Sequence, residues 1–376
     1  MNHHELALLV IAGLLHDIGK FAQRAGAPKS REMEGEYCPV GHQGRPTHLH
    51  VLYSDHFIEK VLPLPKELDD DKNRSRLARL ASSHHKPAED DLLEKALSIA
   101  DRLSAGTDRK PGEEGEGDYK TARLLSIFEQ LSLEGPRALE ELQKGLCYNL
   151  APLSDACFPV PLETARQTGY RDLFTGFCDR LSDLPLDMGI SHYTSSLISI
   201  LEEYTWCIPS STFKSLADIS LYDHAITTAA IAQALAAYHT DQGGMPAQHA
   251  ETTEKFMLLG GDLSGIQRYI FELDKSHGSG VAKLFRARSF YLQALTRSVV
   301  LELLKRLDLT PVAKIMDAGG RFVLLLPATP NIYSMLPDFE LEVQRYFFER
   351  FRGELCLNLC WSTTLKESDF LIEKFQ

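Results

Sequence analysis

The chain has 376 residues, 44% hydrophobic and 24% charged, with a formal net charge of −12. That length allows two or three domains, each with its own core, and the acidic balance excludes a protein that coats nucleic acid over its whole surface. No uncharged apolar run reaches the roughly 18 residues of a membrane span, and His3, His4 and Glu5 stand where a secretory leader would be basic, so a cytoplasmic location without membrane partners is expected.

Apolar residues at helical spacing predict helices over 5–16, about 50–62, 74–84 and 91–104. The stretch "GTDRKPGEEGEGDYK", Gly106 to Lys120, has almost nothing to bury and predicts a mobile surface loop. Helical sequence then continues to about residue 240, broken by the Pro-containing segment 148–162, and "HTDQGGMPAQHAETTE" marks a change of style. Beyond residue 254 strands alternate with helices. "KFMLLGGDL" reads as a strand, "KLFRARSFYLQALTRSVVLELLKRL" as a long helix, and "PVAKIMDAGGRFVLLLP" as two strands around Gly319 and Gly320. "LEVQRYFFERF" is a second helix and "LCLNLCWSTT" a last strand. This order predicts a ferredoxin-like βαββαβ domain after an all-helical one, an α+β chain. Many unrelated functions share that fold.

The seven cysteines are scattered, odd in number and without a C-x-x-C pair, which argues against a disulfide framework and a zinc ribbon. Two basic runs stand out: Lys72, Arg74, Arg76, Arg79 and Lys86, and Lys283, Arg286, Arg288 and Arg297. Each reads either as a solvated helix face or as a phosphate-binding surface.

The segment "GLLHDIGKFAQ" places His16 and Asp17 at the end of a very apolar run. Adjacent His84 and His85 follow in "SSHHKPAEDD", and Asp101 sits at the edge of the apolar stripe formed by Leu93, Ala96, Leu97, Ala100 and Leu103. A carboxylate held there must be paired or ligated, because a lone buried charge is costly. His50 and His56, six apart, do not share a helix face, so at most one of them joins the others. Histidine nitrogens with aspartate oxygens suit Mn, Fe, Co, Ni or Zn better than Ca or Mg. Such ions hold a phosphodiester and activate water, and Lys20 adds positive charge beside a phosphate oxygen.

"HDIGK", "SHH" and "ADRLSAG" resemble the HD phosphohydrolase superfamily. The resemblance implies a helical fold with metal ligands His16, Asp17, His84, His85 and Asp101, catalysis by His16, Asp17, Lys20 and His84, and a first histidine from a preceding helix. No such helix precedes the pair; the candidate is His224 in "SLYDHAITTAAIAQALAAYH", so the HD domain looks circularly permuted. "LLGGDLSGIQRYIF", "DISLYDHAITTAAIAQAL" and "MDAGGRFVLLLP" further resemble the large subunit of type III CRISPR effector complexes, the Cas-ten family, in its Csm (III-A) branch. This implies a divalent transition metal (Mn, Ni or Co), cleavage of single-stranded DNA, partnership with guide RNA, target RNA and other type III subunits, and palm domains that make cyclic oligoadenylate from ATP. The domains expected are an HD nuclease over 1–110, a helical segment over 111–250 that completes it, and a first palm over 255–376. Asp262, Ser264 and Gly265 are the expected nucleotide contacts. Where the family's cyclase hairpin has Gly-Gly-Asp-Asp, this chain has Gly319, Gly320, Arg321 and Phe322, so the palm resembles the non-catalytic first one. The chain ends at "DFLIEKFQ" where the family would continue, and is expected to be an N-terminal fragment or a split subunit. Two competing readings are an HD phosphohydrolase acting on nucleotides and an inactive scaffold.

Overall fold

The computed structural model describes residues 3–41, 44–105, 121–131, 145–155, 157–166, 169–212, 217–244, 251–272 and 280–370. The loop expected over Gly106–Lys120 lies outside them. The fold is α+β, and two compact units divide the chain, Met1–Ala232 and Gln233–Asp369.

The first unit is built around a helix that is apolar on every side. Every residue of α1 (His3–Leu15) from Leu6 to Leu15 is buried, so neighbours must surround it. His16 and Asp17 form the turn into α2 (Ile18–Ala25), a helix not among those expected from the apolar spacing. Three helices follow close to their expected positions, α3 (His50–Lys60), α4 (Asp71–Ser82) and α5 (Leu92–Ser104). Asp70 caps α4 by accepting the Asn73 amide, and Asp91 caps α5 by accepting those of Leu93 and Glu94. A two-stranded ladder of β1 (Leu146–Cys147) and β2 (Val160–Pro161) was not expected; strands this short carry no periodicity. Then come α6 (Tyr170–Ser182), α7 (Ile190–Thr205) and α8 (Leu221–Asp241), which belongs to this unit up to Ala232. Phe21 and Phe57 meet Phe174 and Phe177 of α6 at ring separations of 5.0–6.1 Å. Gly13 of α1 faces Ala229 of α8, where a Cβ would come within 2.8 Å of the Ala229 Cα. Only glycine allows that approach.

In the second unit β3 (Glu254–Ser264) leads through α9 (Ile266–Phe271) into α10 (Val281–Arg306), then β4 (Lys314–Asp317), β5 (Arg321–Pro327), α11 (Pro330–Phe351) and β6 (Cys356–Lys366). The sheet order is β4-β5-β3-β6 with every neighbouring pair antiparallel, which is the ferredoxin-like arrangement. Met257, Leu259, Phe322, Leu324 and Leu357 on one sheet face pack against Leu303 of α10 and Leu336 and Phe347 of α11. Helix α11 starts at Pro330, not at Leu341. Pro330 occupies the first helical turn, where its missing N–H costs nothing, and Pro337 lies on the exposed flank. A buried Lys255–Glu367 ion pair ties β3 to the segment after β6.

Candidate metal centre

Four side chains from distant parts of the first unit converge: His16 and Asp17 from the α1–α2 turn, Asp101 from α5 and His224 from the first turn of α8. All are buried, with one potential ligand atom from each lying within 4.8 Å of the others. His16 Nε2 is 3.2 Å from His224 Nε2 and 3.5 Å from oxygens of both Asp17 and Asp101. His224 Nε2 is 3.1 Å from Asp101 Oδ1 and 3.4 Å from Asp17 Oδ2.

A second group joins His50, His84 and His85, again within 4.8 Å of one another. Asp17 stands between the two groups: its Oδ1 lies 3.0 Å from His50 Nε2 and 3.8 Å from His84 Nε2, while its Oδ2 faces His224. Asp101 also spans them, with Oδ2 4.0 Å from His85 Nδ1. Of the two histidines on α3, His50 is at the centre, and His56 is half-buried and belongs to neither group.

Backbone contacts orient the rings. His16 Nδ1–H donates to Gly13 O at 2.8 Å and His84 Nδ1–H to Ala81 O at 2.7 Å. A carbonyl can only accept, so each Nε2 of a neutral ring presents a lone pair to the centre. Ser104 Oγ gives its proton to the His224 carbonyl and accepts from His224 Nδ1–H, which aims that Nε2 the same way. Ser220 caps α8, accepting from the Asp223 amide and donating to its carboxylate, so His224 has no capping role. Ser54 of α3 donates to His16 O at 2.8 Å and accepts from Gly19 N at 2.9 Å, pinning the turn. Nothing in the local pattern marks Ser54, since its role arises only when α3 packs on the turn.

Do these residues fit a metal? Asp17 Oδ1 and His84 Nε2 are buried without a hydrogen-bond partner, a costly arrangement unless something else satisfies them. Lone pairs of His16 and His224 face each other beside two carboxylates, and a cation between them resolves that geometry. Imidazole nitrogen with carboxylate oxygen suits a first-row divalent ion. The residues fit.

Charge in the centre follows from burial and neighbours. Burial opposes ionisation of Asp17, but Lys20, His16 and the imidazoles of His224 and His50 hold its carboxyl well below the usual range. Burial likewise opposes a charged His224, yet Asp101 and Asp17 outweigh it and raise its pKa. Burial lowers His50 to about 4 and His84 to about 3, and lowers His85 as well. The unfolded chain protonates these rings near pH 6.5 and the folded chain does not, so stability falls as pH drops below about 6.5. His224, shifted up, contributes in the opposite sense and only above that pH. Chelated protein should therefore lose on the order of a few kcal/mol between pH 6.5 and 4.5, read as a falling thermal midpoint; a flat midpoint would contradict it.

The HD domain family matches residues 2–106, and the Csm1 subunit domain B family matches residues 255–375. The CRISPR system single-strand-specific deoxyribonuclease Cas10/Csm1 (subtype III-A) of Methanocaldococcus jannaschii is 30% identical over 396 residues, covering 95% of this chain and 45% of the relative. The chain is similar to Cas10/Csm1 proteins along nearly its whole length. The crystal structure of Csm1 in T. onnurineus matches with a TM-score of 0.68 at 25% identity, covering 98% of this chain and 46% of that one. A Csm1-Csm4 cassette in complex with AMPPNP gives 0.67 at 25% identity, with coverage of 98% and 46%. The chain thus spans less than half the length of these Csm1 relatives.

In the region matching Csm1 domain B, Asp262 pairs with Arg321 across β3 and β5, its Oδ1 accepting from the guanidinium at 2.9 Å. Ser264 Oγ accepts from Asn358 at 3.1 Å. Gly265 has φ +91, and a Cβ there would meet Glu354 O at 2.0 Å, so packing alone demands glycine. Phe322 of the hairpin is buried in the core.

Most of the basic runs are engaged internally. Arg74 donates to the carbonyls of Ile58 and Leu62, Arg76 grips Asp91 with two bonds, Arg79 pairs with Glu94 and Glu36, and Lys86 donates to Gly35 O. Arg288 caps the end of α9 through Tyr269 O and Ile270 O, whereas Lys283, Arg286 and Arg297 are exposed. Lys20 Nζ donates to Asp17 Oδ2 at 2.5 Å and Ser210 O at 3.0 Å. Among the described residues no helix is long and apolar enough to cross a membrane.

Proposed function

We propose that this chain carries the nuclease part of a type III-A CRISPR effector subunit and hydrolyses single-stranded DNA at the centre formed by His16, Asp17, His50, His84, His85, Asp101 and His224. The observation that carries this reading is the pair of donor groups sharing Asp17, with three ring nitrogens aimed inward by bonds on their far side. Residues 1–110 and the helix at 221–241 form one permuted HD domain, and residues 255–376 form a palm. His16, Asp17, Asp101 and His224 would hold one divalent ion and Asp17, His50, His84 and His85 another; such ions polarise a phosphodiester and lower the pKa of water. Lys20 holds Asp17 ionised through its ammonium group and stands ready to meet a phosphate oxygen. The name of the Methanocaldococcus relative, a single-strand-specific deoxyribonuclease, supports the substrate. Guide RNA, target RNA and a Csm4-type subunit are the partners proposed, and the location is cytoplasmic.

The purified 376-residue chain with Mn, Ni or Co should cut single-stranded DNA, spare duplex and lose activity with chelator. Hydrolysis of free nucleotides with no cutting of DNA would instead favour a nucleotide phosphohydrolase.

The palm would supply Asp262, Ser264 and Gly265 to an ATP pocket but no catalysis of its own. Phosphoryl transfer relies on metal ions to offset the triphosphate charge, and this hairpin offers an arginine already paired with Asp262 and a buried phenylalanine. Incubation of the chain with ATP and Mn should return only ATP. Any cyclic oligoadenylate would overturn this assignment of the hairpin.

A further inference from the structure

The donor group on the His50 side does not end at its ligands. The His84 ring, buried, packs against His85 at a centroid distance of 4.0 Å, and His85 packs against His48 at 4.0 Å. His48 is exposed. Three imidazoles therefore form a stair from the buried centre to solvent, and His48 lies outside both ligand groups.

The backbone at His48 is unusual. It has φ 57, one of three described non-glycine residues in the left-handed region. The other two, Asp308 and Arg352, follow the ends of α10 and α11, where left-handed residues commonly terminate helices. His48 instead precedes the start of α3, so no helix end accounts for it. Strain held at such a place points to function. Thr47 Oγ1 donates to Pro39 O and takes the His48 Nδ1–H at 3.0 Å, which fixes the ring.

We propose that His48 is a stacking platform for the nucleobase beside the scissile phosphate. The base continues the imidazole stair, and its phosphate falls against the His50, His84 and His85 group. Stacking needs an open base face, which a single strand offers and a duplex hides. His48 thereby makes this site selective for single strands. The inference deepens the nuclease reading above and rests on it.

The test uses the 376-residue chain with Mn and a single-stranded oligonucleotide carrying 2-aminopurine near the cut. His48→Asn and His48→Gly both tolerate the left-handed backbone, and His48→Tyr keeps a ring face. The Asn and Gly variants should raise KM about tenfold, as loss of one stacked base implies, with kcat and Mn content unchanged and 2-aminopurine quenching lost. The Tyr variant should restore quenching and KM. If wild type cuts and the Asn and Gly variants match it in KM and quenching, or if they lose Mn, this proposal fails alone. If wild type does not cut single-stranded DNA, the nuclease reading fails and this one with it.

Discussion

Asp17→Asn is expected to abolish cleavage of single-stranded DNA by at least about a thousandfold, since even partners behind a metal ligand typically cost 10–100-fold when removed. Asp17 faces both donor groups at the shortest range, Oδ2 toward His16 and His224 and Oδ1 toward His50 and His84, while Asp101 reaches the second group only at 4.0 Å. An amide keeps the shape but loses the charge and one acceptor. Both ions should therefore be weakened together, while circular dichroism stays native because α1 and α2 draw their packing from Leu6 to Leu15, Phe21 and Ala22. A variant that binds Mn and cuts as wild type does would remove Asp17 from the site. Replacing His85 alone should leave a graded defect, because it serves only one group.

His224→Ala tests the permutation. His224 is separated from His16 by 208 residues yet lies 3.2 Å from it. Loss of this imidazole leaves His16, Asp17 and Asp101 as donors on that side, and Mn affinity should fall by about 10–100-fold or more. Cleavage should fall with it and recover in part at high Mn. Gly13→Ala is the structural companion, because the added Cβ would press on Ala229 and push α8 away from α1. Unchanged Mn affinity in His224→Ala would leave the centre to residues before 110.

How much of this is legible in the sequence depends on whether the signal is local. His16, Asp17 and Asp101 are visible because polar side chains stand in or beside runs that ask for burial. The choice between His50 and His56 is not, since six residues separate them and both fit the same helix. It is decided by the buried set Val51, Leu52, Ser54, Asp55, Phe57 and Ile58, which turns His50 inward. The basic run from Lys72 to Lys86 illustrates the converse: its charge is visible, but its partners Asp91, Glu94 and Glu36 come from other elements. In the second unit the alternation of strands and helices suffices for the ferredoxin-like order. The start of α11 does not emerge, because proline reads as a breaker unless its place in the first turn is known. The glycines of "GGDLSG" read as room for a nucleotide, whereas Gly265 is also required by the Glu354 carbonyl.

The most direct test is anomalous diffraction at the manganese edge from crystals of the 376-residue chain grown with Mn. Two peaks are expected, one bounded by His16, Asp17, Asp101 and His224 and the other by Asp17, His50, His84 and His85. A peak that His224 does not reach, or no peak within the reach of Asp17, would contradict a permuted HD centre.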